Sequence, residues 1–158
     1  MDKDKLKRAK NIAHRLLKYR IRSEKELSRR LKLKKIPQDI ITAVLDDLKK
    51  VSLVNDEEFT SLWVQEGTRK GYGPLRIKRQ LREKGIKEEL IRDFLGRFQD
   101  KQVSALLIDE LIRRRVKRYK GKTLPEIKRK LSYYLRARGF SFEDIQHALE
   151  NLEAFLNL

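Results

Sequence analysis

Residues 27–48 read LSRRLKLKKIPQDIITAVLDDL, with apolar side chains at Leu27, Leu31, Ile36, Ile41, Leu45 and Leu48, spaced 4, 5, 5, 4 and 3 residues apart. Spacings of three and four keep side chains on one face of a helix, which turns about once every 3.6 residues. The two spacings of five bracket Lys35, Ile36 and Pro37, so the stretch predicts two short helices joined by a tight turn. The same spacing returns 50 residues on, in IKRQLREKGIKEELIRDFLGRF (77–98), at Ile77, Leu81, Ile86, Ile91, Leu95 and Phe98. It returns again 54 residues later, in LSYYLRARGFSFEDIQHALENL (131–152), at Leu131, Leu135, Phe140, Ile145, Leu149 and Leu152. All eighteen positions are apolar in a chain that is 39% hydrophobic, which marks an internal repeat. One position departs from it: Lys35 stands where Gly85 and Gly139 stand later.

Outward from each pair, the start and stop signals predict a further helix. Lys3–Tyr19 carries Leu6, Ala9, Ile12, Ala13, Leu16 and Leu17 on one stripe. Asn55 with Glu58 opens a helix carrying Phe59, Leu62, Trp63 and Val64, and a longer helix runs from Lys101 to Tyr119. Ser23 with Glu26, Thr123 with Glu126 and Ser141 with Asp144 have the spacing of helix caps. Pro37 and Pro74 suit first helical positions, and a helix runs from Lys87 to Phe98. Gly71-Tyr72-Gly73, Gly85, Gly121 and Gly139 break or end helices. No stretch alternates with a period of two. The fold expected is all-α: three tandem three-helix repeats at 1–54, 55–99 and 100–158, about nine helices, packed end to end as an elongated curved array.

The 158 residues include 40 Lys and Arg against 23 Asp and Glu, a net charge of +17. Such an excess bears on association and predicts a polyanionic partner. The absence of cysteine excludes disulfides, a thiolate nucleophile and a cysteine-held zinc. No apolar run reaches the roughly 18 residues that a membrane helix needs. MDKDKLKRAK does not read as a secretory signal, so a cytoplasmic location without membrane partners is expected.

Catalytic chemistry finds little support. His14 and His147 fall in different repeats with no ligand spacing, and Asp46-Asp47 and Glu88-Glu89 are neighbours that point to different sides of a helix. Gly121-Lys122-Thr123 lacks the earlier glycine and strand of a phosphate loop, since position 116 is Val. Gly71-Tyr72-Gly73 lacks its third glycine. No catalytic residue, metal or cofactor is expected, and the chain reads as a binding protein, not an enzyme.

The cations are uneven: residues 1–54 carry net +10, 55–99 net +2 and 100–158 net +5. Two repeat positions are always basic, Lys32, Arg82 and Arg136, and Lys34, Lys84 and Arg138. Both sets fall at the end of a second helix, as dipole partners or as a binding row. Further runs span Lys3 to Arg22 and Arg113 to Lys122. Tyr72, Tyr119, Tyr133 and Tyr134 suit either stacking on bases or filling gaps between repeats. From their clustering beside the apolar repeat positions, the expected contact residues are Arg76, Arg79, Arg82 and Lys84 centrally. Lys32, Lys34, Arg113, Arg114, Arg115 and Arg118 flank them.

Three stretches resemble a known family. Leu16-Leu17-Lys18-Tyr19-Arg20-Ile21-Arg22-Ser23-Glu24-Lys25-Glu26-Leu27 is similar to the opening of the RecX regulatory proteins. Asn55-Asp56-Glu57-Glu58-Phe59, Trp63-Val64, Gly71-Tyr72-Gly73-Pro74 with Arg76-Ile77, and Leu81-Arg82-Glu83-Lys84-Gly85-Ile86 resemble its central signature. Arg138-Gly139-Phe140 followed by Ile145 resembles its C-terminal one. The resemblance implies three tandem three-helix repeats that bind in the groove of the RecA–DNA filament. It further implies inhibition of the RecA ATPase, strand-exchange and coprotease activities, damping recombination and the SOS response. The expected partners are the RecA filament and, weakly and salt-sensitively, single- or double-stranded DNA. Few exposed large apolar residues are expected, hence a monomer. A stand-alone DNA-binding helical module or transcription regulator is the alternative, for which basic residues on one recognition helix would be the mark.

Overall fold

The structure, a computed structural model, describes residues 2–156, the side chain of Gln99 excepted. The first triplet is α1 (Lys3–Tyr19), α2 (Glu24–Leu33) and α3 (Gln38–Lys50); the second is α4 (Asp56–Arg69), α5 (Pro74–Glu83) and α6 (Glu88–Leu95). The third is α7 (Lys101–Val116), α8 (Leu124–Arg138) and α9 (Phe142–Glu150), followed by a short α10 (Leu152–Leu156). Tight 3-10 turns at Gly96–Gln99 and Lys117–Tyr119 end α6 and α7. Among the described residues there is no strand. All eighteen repeat positions are buried, none more than 9% exposed.

The caps explain where the helices begin. Ser23 Oγ accepts from the Glu26 amide at 3.2 Å while the Glu26 carboxylate accepts from the Ser23 amide at 3.3 Å. The Glu126 carboxylate accepts from the Thr123 amide at 2.8 Å and from the Thr123 hydroxyl at 2.9 Å, and Ser141 Oγ accepts from the Asp144 amide. Asn55 Oδ1 accepts from the amides of Glu57 and Glu58. Two details correct the sequence reading, and one adds to it. Pro37 is the cap of α3 and not its first residue, because its ψ of 149° is extended. Leu62 faces solvent, 43% exposed, and Thr60 is buried in its stead, its hydroxyl donating to the Asp56 carbonyl at 2.6 Å. The tenth helix was not expected.

Packing gathers the chain into two compact units, and each is centred on a junction between triplets. Of the described residues, one unit holds 2–62 together with Leu81–Ile91; the other holds Trp63–Gln80 together with 92–156.

In the first unit, Ala9 and Ala13 of α1 pack with Leu27 and Leu31 of α2 and with Ile41, Val44 and Leu48 of α3. The start of α2 meets the end of α5: Ser23 Oγ donates to the Lys84 carbonyl at 2.7 Å. The Glu24 amide donates to Asp56 Oδ1 at 2.8 Å, tying α2 to the start of α4. Gly85, at φ +76°, is so close to Lys25 that a side chain there would strike it.

In the second unit, Ile108 and Ile112 of α7 pack with Ile127, Leu131 and Leu135 of α8 and with Ile145 and Leu149 of α9. Here the start of α5 meets the end of α8. The Gly73 amide donates to the Arg138 carbonyl at 2.7 Å, and the Leu75 amide to the Gly139 carbonyl at 3.0 Å. A Cβ on Gly73 would strike the Gly139 carbonyl, and one on Gly139 (φ +95°) would strike the Arg76 backbone. The rule is common to both units: the second helix of one triplet begins against the end of the second helix of the next.

Candidate polyanion-binding surface

The helix ends at these junctions carry the cations singled out above, and the structure separates those that hold the fold from those left free. In the first unit, Lys84 Nζ donates to the Glu26 carboxylate at 2.7 Å, beside Arg20, which reaches the same carboxylate at 2.7 Å. Burial pushes the Glu26 carboxyl up, but Arg20 and Lys84 outweigh it and hold the group at about 2. Arg82 donates from Nε to the Glu88 carboxylate at 2.9 and 3.0 Å, and its Nη2 bonds the same group. Both cations are therefore largely neutralised. Lys32 and Lys34 are exposed on the last turn and cap of α2, and neither pairs with a carboxylate among the described residues.

The second unit holds the other six. Arg79 and Arg118 are exposed and have no carboxylate partner among the described residues. Arg114 pairs with Glu110, and the Arg113 guanidinium lies 5.3 Å from the Phe155 ring centre. Arg113, Arg114, Lys117 and Lys122 rim an open cleft of about 940 Å³ floored by Leu124 and Phe155. Arg76 donates from Nη1 to the Ala137 carbonyl at 3.3 Å, and its buried Nε has no partner among the described residues. Arg115 Nε donates to the Tyr119 hydroxyl at 3.3 Å.

Sequence reasoning did not place Arg138 among the contact residues and did not foresee how the tyrosines pack. Arg138 Nη1 donates to the Lys70 carbonyl at 2.6 Å. The Arg76 guanidinium carbon is 3.8 Å from the Tyr72 ring centre, and Arg138 is 5.7 Å from that ring and 5.2 Å from the ring of Tyr134. Arg115 is 4.5 Å from the Tyr134 ring. The hints in the sequence were that Arg138 occupies a position that is basic in all three repeats and that it opens the Arg138-Gly139-Phe140 stretch. Tyr133, in contrast, is 69% exposed.

The remaining features are plain. Asp46 and Asp47 pair with Lys49 and Lys10, and His147 Nδ1 is 3.7 Å from Glu150. No group of residues that could hold a metal ion occurs among the described residues. No helix there is long and apolar enough to cross a membrane. Exposed large apolar side chains are more numerous than expected. Tyr19, Leu33, Val51, Leu75, Leu106 and Phe142 each exceed 50% exposure, so the reason offered for a monomer does not hold.

Three consecutive helix triplets with buried repeat cores and a surplus of positive charge define an all-α repeat protein. The first, second and third three-helix domains of RecX match residues 9–48, 55–95 and 107–149. The chain belongs to the RecX family of regulatory proteins. It is 34% identical over 152 residues to regulatory protein RecX of Bacillus velezensis and 30% identical over 151 residues to that of Bacillus subtilis, covering 95% of this chain in both. The chain spans 57% of the length of each of these relatives. Against RecX of Caldanaerobacter subterraneus it is 31% identical, covering 90% of this chain and 70% of that protein. The crystal structure of RecX from Lactobacillus salivarius superposes with a TM-score of 0.77 at 24% identity, covering 96% of this chain and 98% of that one. A second crystal structure, of a regulatory protein RecX, gives a TM-score of 0.78 at 26% identity, covering 93% and 72%.

Proposed function

We propose that this chain regulates the RecA recombinase by binding the RecA–DNA filament, lowering its ATPase, strand-exchange and coprotease activities and so damping recombination and the SOS response. The observation that carries this reading is the presence of all three RecX domains on one chain of net charge +17. The physical route needs no chemistry by the protein itself. Lys32, Lys34, Arg79 and Arg118 are exposed and carry no carboxylate partner among the described residues, and Arg113 is exposed with the Asp109 carboxylate one turn away. Their field draws the chain toward an anionic nucleoprotein filament, with an affinity that falls as salt rises. Several weak contacts made by tandem triplets add as linked binding events. Occupying the groove then excludes a second DNA or a protein substrate. The action is expected in the cytoplasm, where the filament forms. The test is hydrolysis of ATP by RecA on single-stranded DNA, titrated with this protein at low salt. Suppression supports the reading, and unchanged hydrolysis at saturating protein overturns it. A defined footprint on duplex DNA without RecA would instead favour a stand-alone DNA-binding module.

A further inference from the structure

The arginines and tyrosines of the second unit form one alternating column: Arg76, Tyr72, Arg138, Tyr134, Arg115. Its members come from α5, the loop before it, α8 and α7. Three positive charges are brought together, and none of the three arginines pairs with a carboxylate among the described residues. Elsewhere the chain places acids on such groups: Glu88 on Arg82, Glu26 on Lys84, Glu143 on Lys101, Glu110 on Arg114 and Glu66 on Arg69. An exposed cation–π contact contributes about 0.5–1 kcal/mol, a modest return for holding like charges side by side. The column is also preorganised, because carbonyls of Ala137 and Lys70 anchor Arg76 and Arg138 and ring faces hold all three guanidiniums. A guanidinium fixed in this way loses little further freedom when a phosphate takes its outward N–H groups. The faces of Tyr72 and Tyr134 are taken up by arginines, so the column is ill suited to stacking on bases.

We infer that the Arg76–Tyr72–Arg138–Tyr134–Arg115 column is a contact for the phosphodiester backbone of nucleic acid, blind to base sequence. This deepens the filament reading, on which it rests, by naming the chemical group that one part of the surface grips.

The experiment measures binding of the whole chain to a fluorescent single-stranded oligonucleotide and to its duplex, by anisotropy, between about 50 and about 200 mM salt. Arg115→Gln deletes a guanidinium that makes no hydrogen bond to the backbone. It should lower the slope of log K against log salt by about 0.7 on the single strand and about 0.9 on the duplex. Tyr134→Leu removes a ring and no charge, so it should weaken binding with the slope kept. Lys101→Gln also loses one charge, but one already paired with Glu143 at 2.6 Å, and its slope should match the parent protein. Homopolymers of different bases should bind the parent protein alike.

An Arg115→Gln slope equal to that of the parent, whether or not the melting temperature falls, overturns the inference and leaves the column a structural stack. Unchanged oligonucleotide binding with weaker RecA inhibition also overturns it, by assigning the column to an acidic protein surface. If the parent protein leaves RecA hydrolysis untouched while Arg115→Gln still loses its salt slope, the filament reading fails and the column stands.

Discussion

Lys35 sits in the left-handed region at φ +59°, the conformation that Gly85 and Gly139 adopt in the later triplets. The turn is built the same way in all three, so the lysine does not change its geometry. What differs is the neighbour. Gly85 faces Lys25 and Gly139 faces the backbone of Arg76, whereas Lys35 is exposed. The glycines are needed for close approach as well as for backbone freedom. A graded series follows. Gly121→Ala, with open space around it, should cost only the left-handed penalty of about 1 kcal/mol. Gly139→Ala adds a collision with backbone and should cost about 2–4 kcal/mol. Urea unfolding of the two variants checks this; equal losses would contradict it.

Glu26 carries the second prediction at this scale. Its carboxyl is held at about 2 in the folded chain against 4.5 when unfolded. A depressed acid stabilises above its unfolded value and loses that contribution as pH falls toward its folded one. The parent protein should therefore gain up to about 3 kcal/mol from this group at neutral pH and lose it between pH 4.5 and about 2. Asp56 and Asp109, whose carboxyls burial pushes up, act in the opposite sense, so the difference from Glu26→Gln isolates the effect. The variant should be less stable at pH 7 and converge on the parent near pH 2. A constant gap across that range would contradict the assignment.

At the scale of helices, the same capping chemistry does different jobs. Ser141 only caps α9, accepting from the Asp144 amide at 3.1 Å. Ser23 caps α2 and also donates to the Lys84 carbonyl, and it is fully buried. Ser141→Ala should cost about 1 kcal/mol. Ser23→Ala should cost about 2–3 kcal/mol, because it also strips a carbonyl at the junction of its partner. Equal losses on chemical unfolding would deny the junction its role. The helices were readable because caps and apolar spacing are local signals; the reciprocal box at Ser23–Glu26 and the Glu126 carboxylate on the Thr123 amide fall where the spacing predicts. The exposure of Leu62 and the burial of Thr60 were not read from the sequence, because composition does not give the register of α4 against its neighbours. The Arg138–Tyr134–Tyr72 stack was illegible because its members are brought together only by the meeting of α5 and α8.

For the whole molecule, the proposed filament binding rests on net charge and the repeat pattern, and the structure separates paired from unpaired cations. Glu88 and Glu26 already pair with Arg82 and Lys84, so charge reversal there would break an ion pair as well as change the charge offered to a partner. Arg79 and Arg118 are the cleaner positions, and the double variant Arg79→Glu with Arg118→Glu should stay helical. The most direct measurement is the rate of RecA-catalysed ATP hydrolysis on single-stranded DNA as this chain is added. The account predicts a fall at amounts comparable to or below those of RecA, relieved by added salt and weakened in the double variant. Hydrolysis that holds its rate at saturating protein and low salt would contradict it.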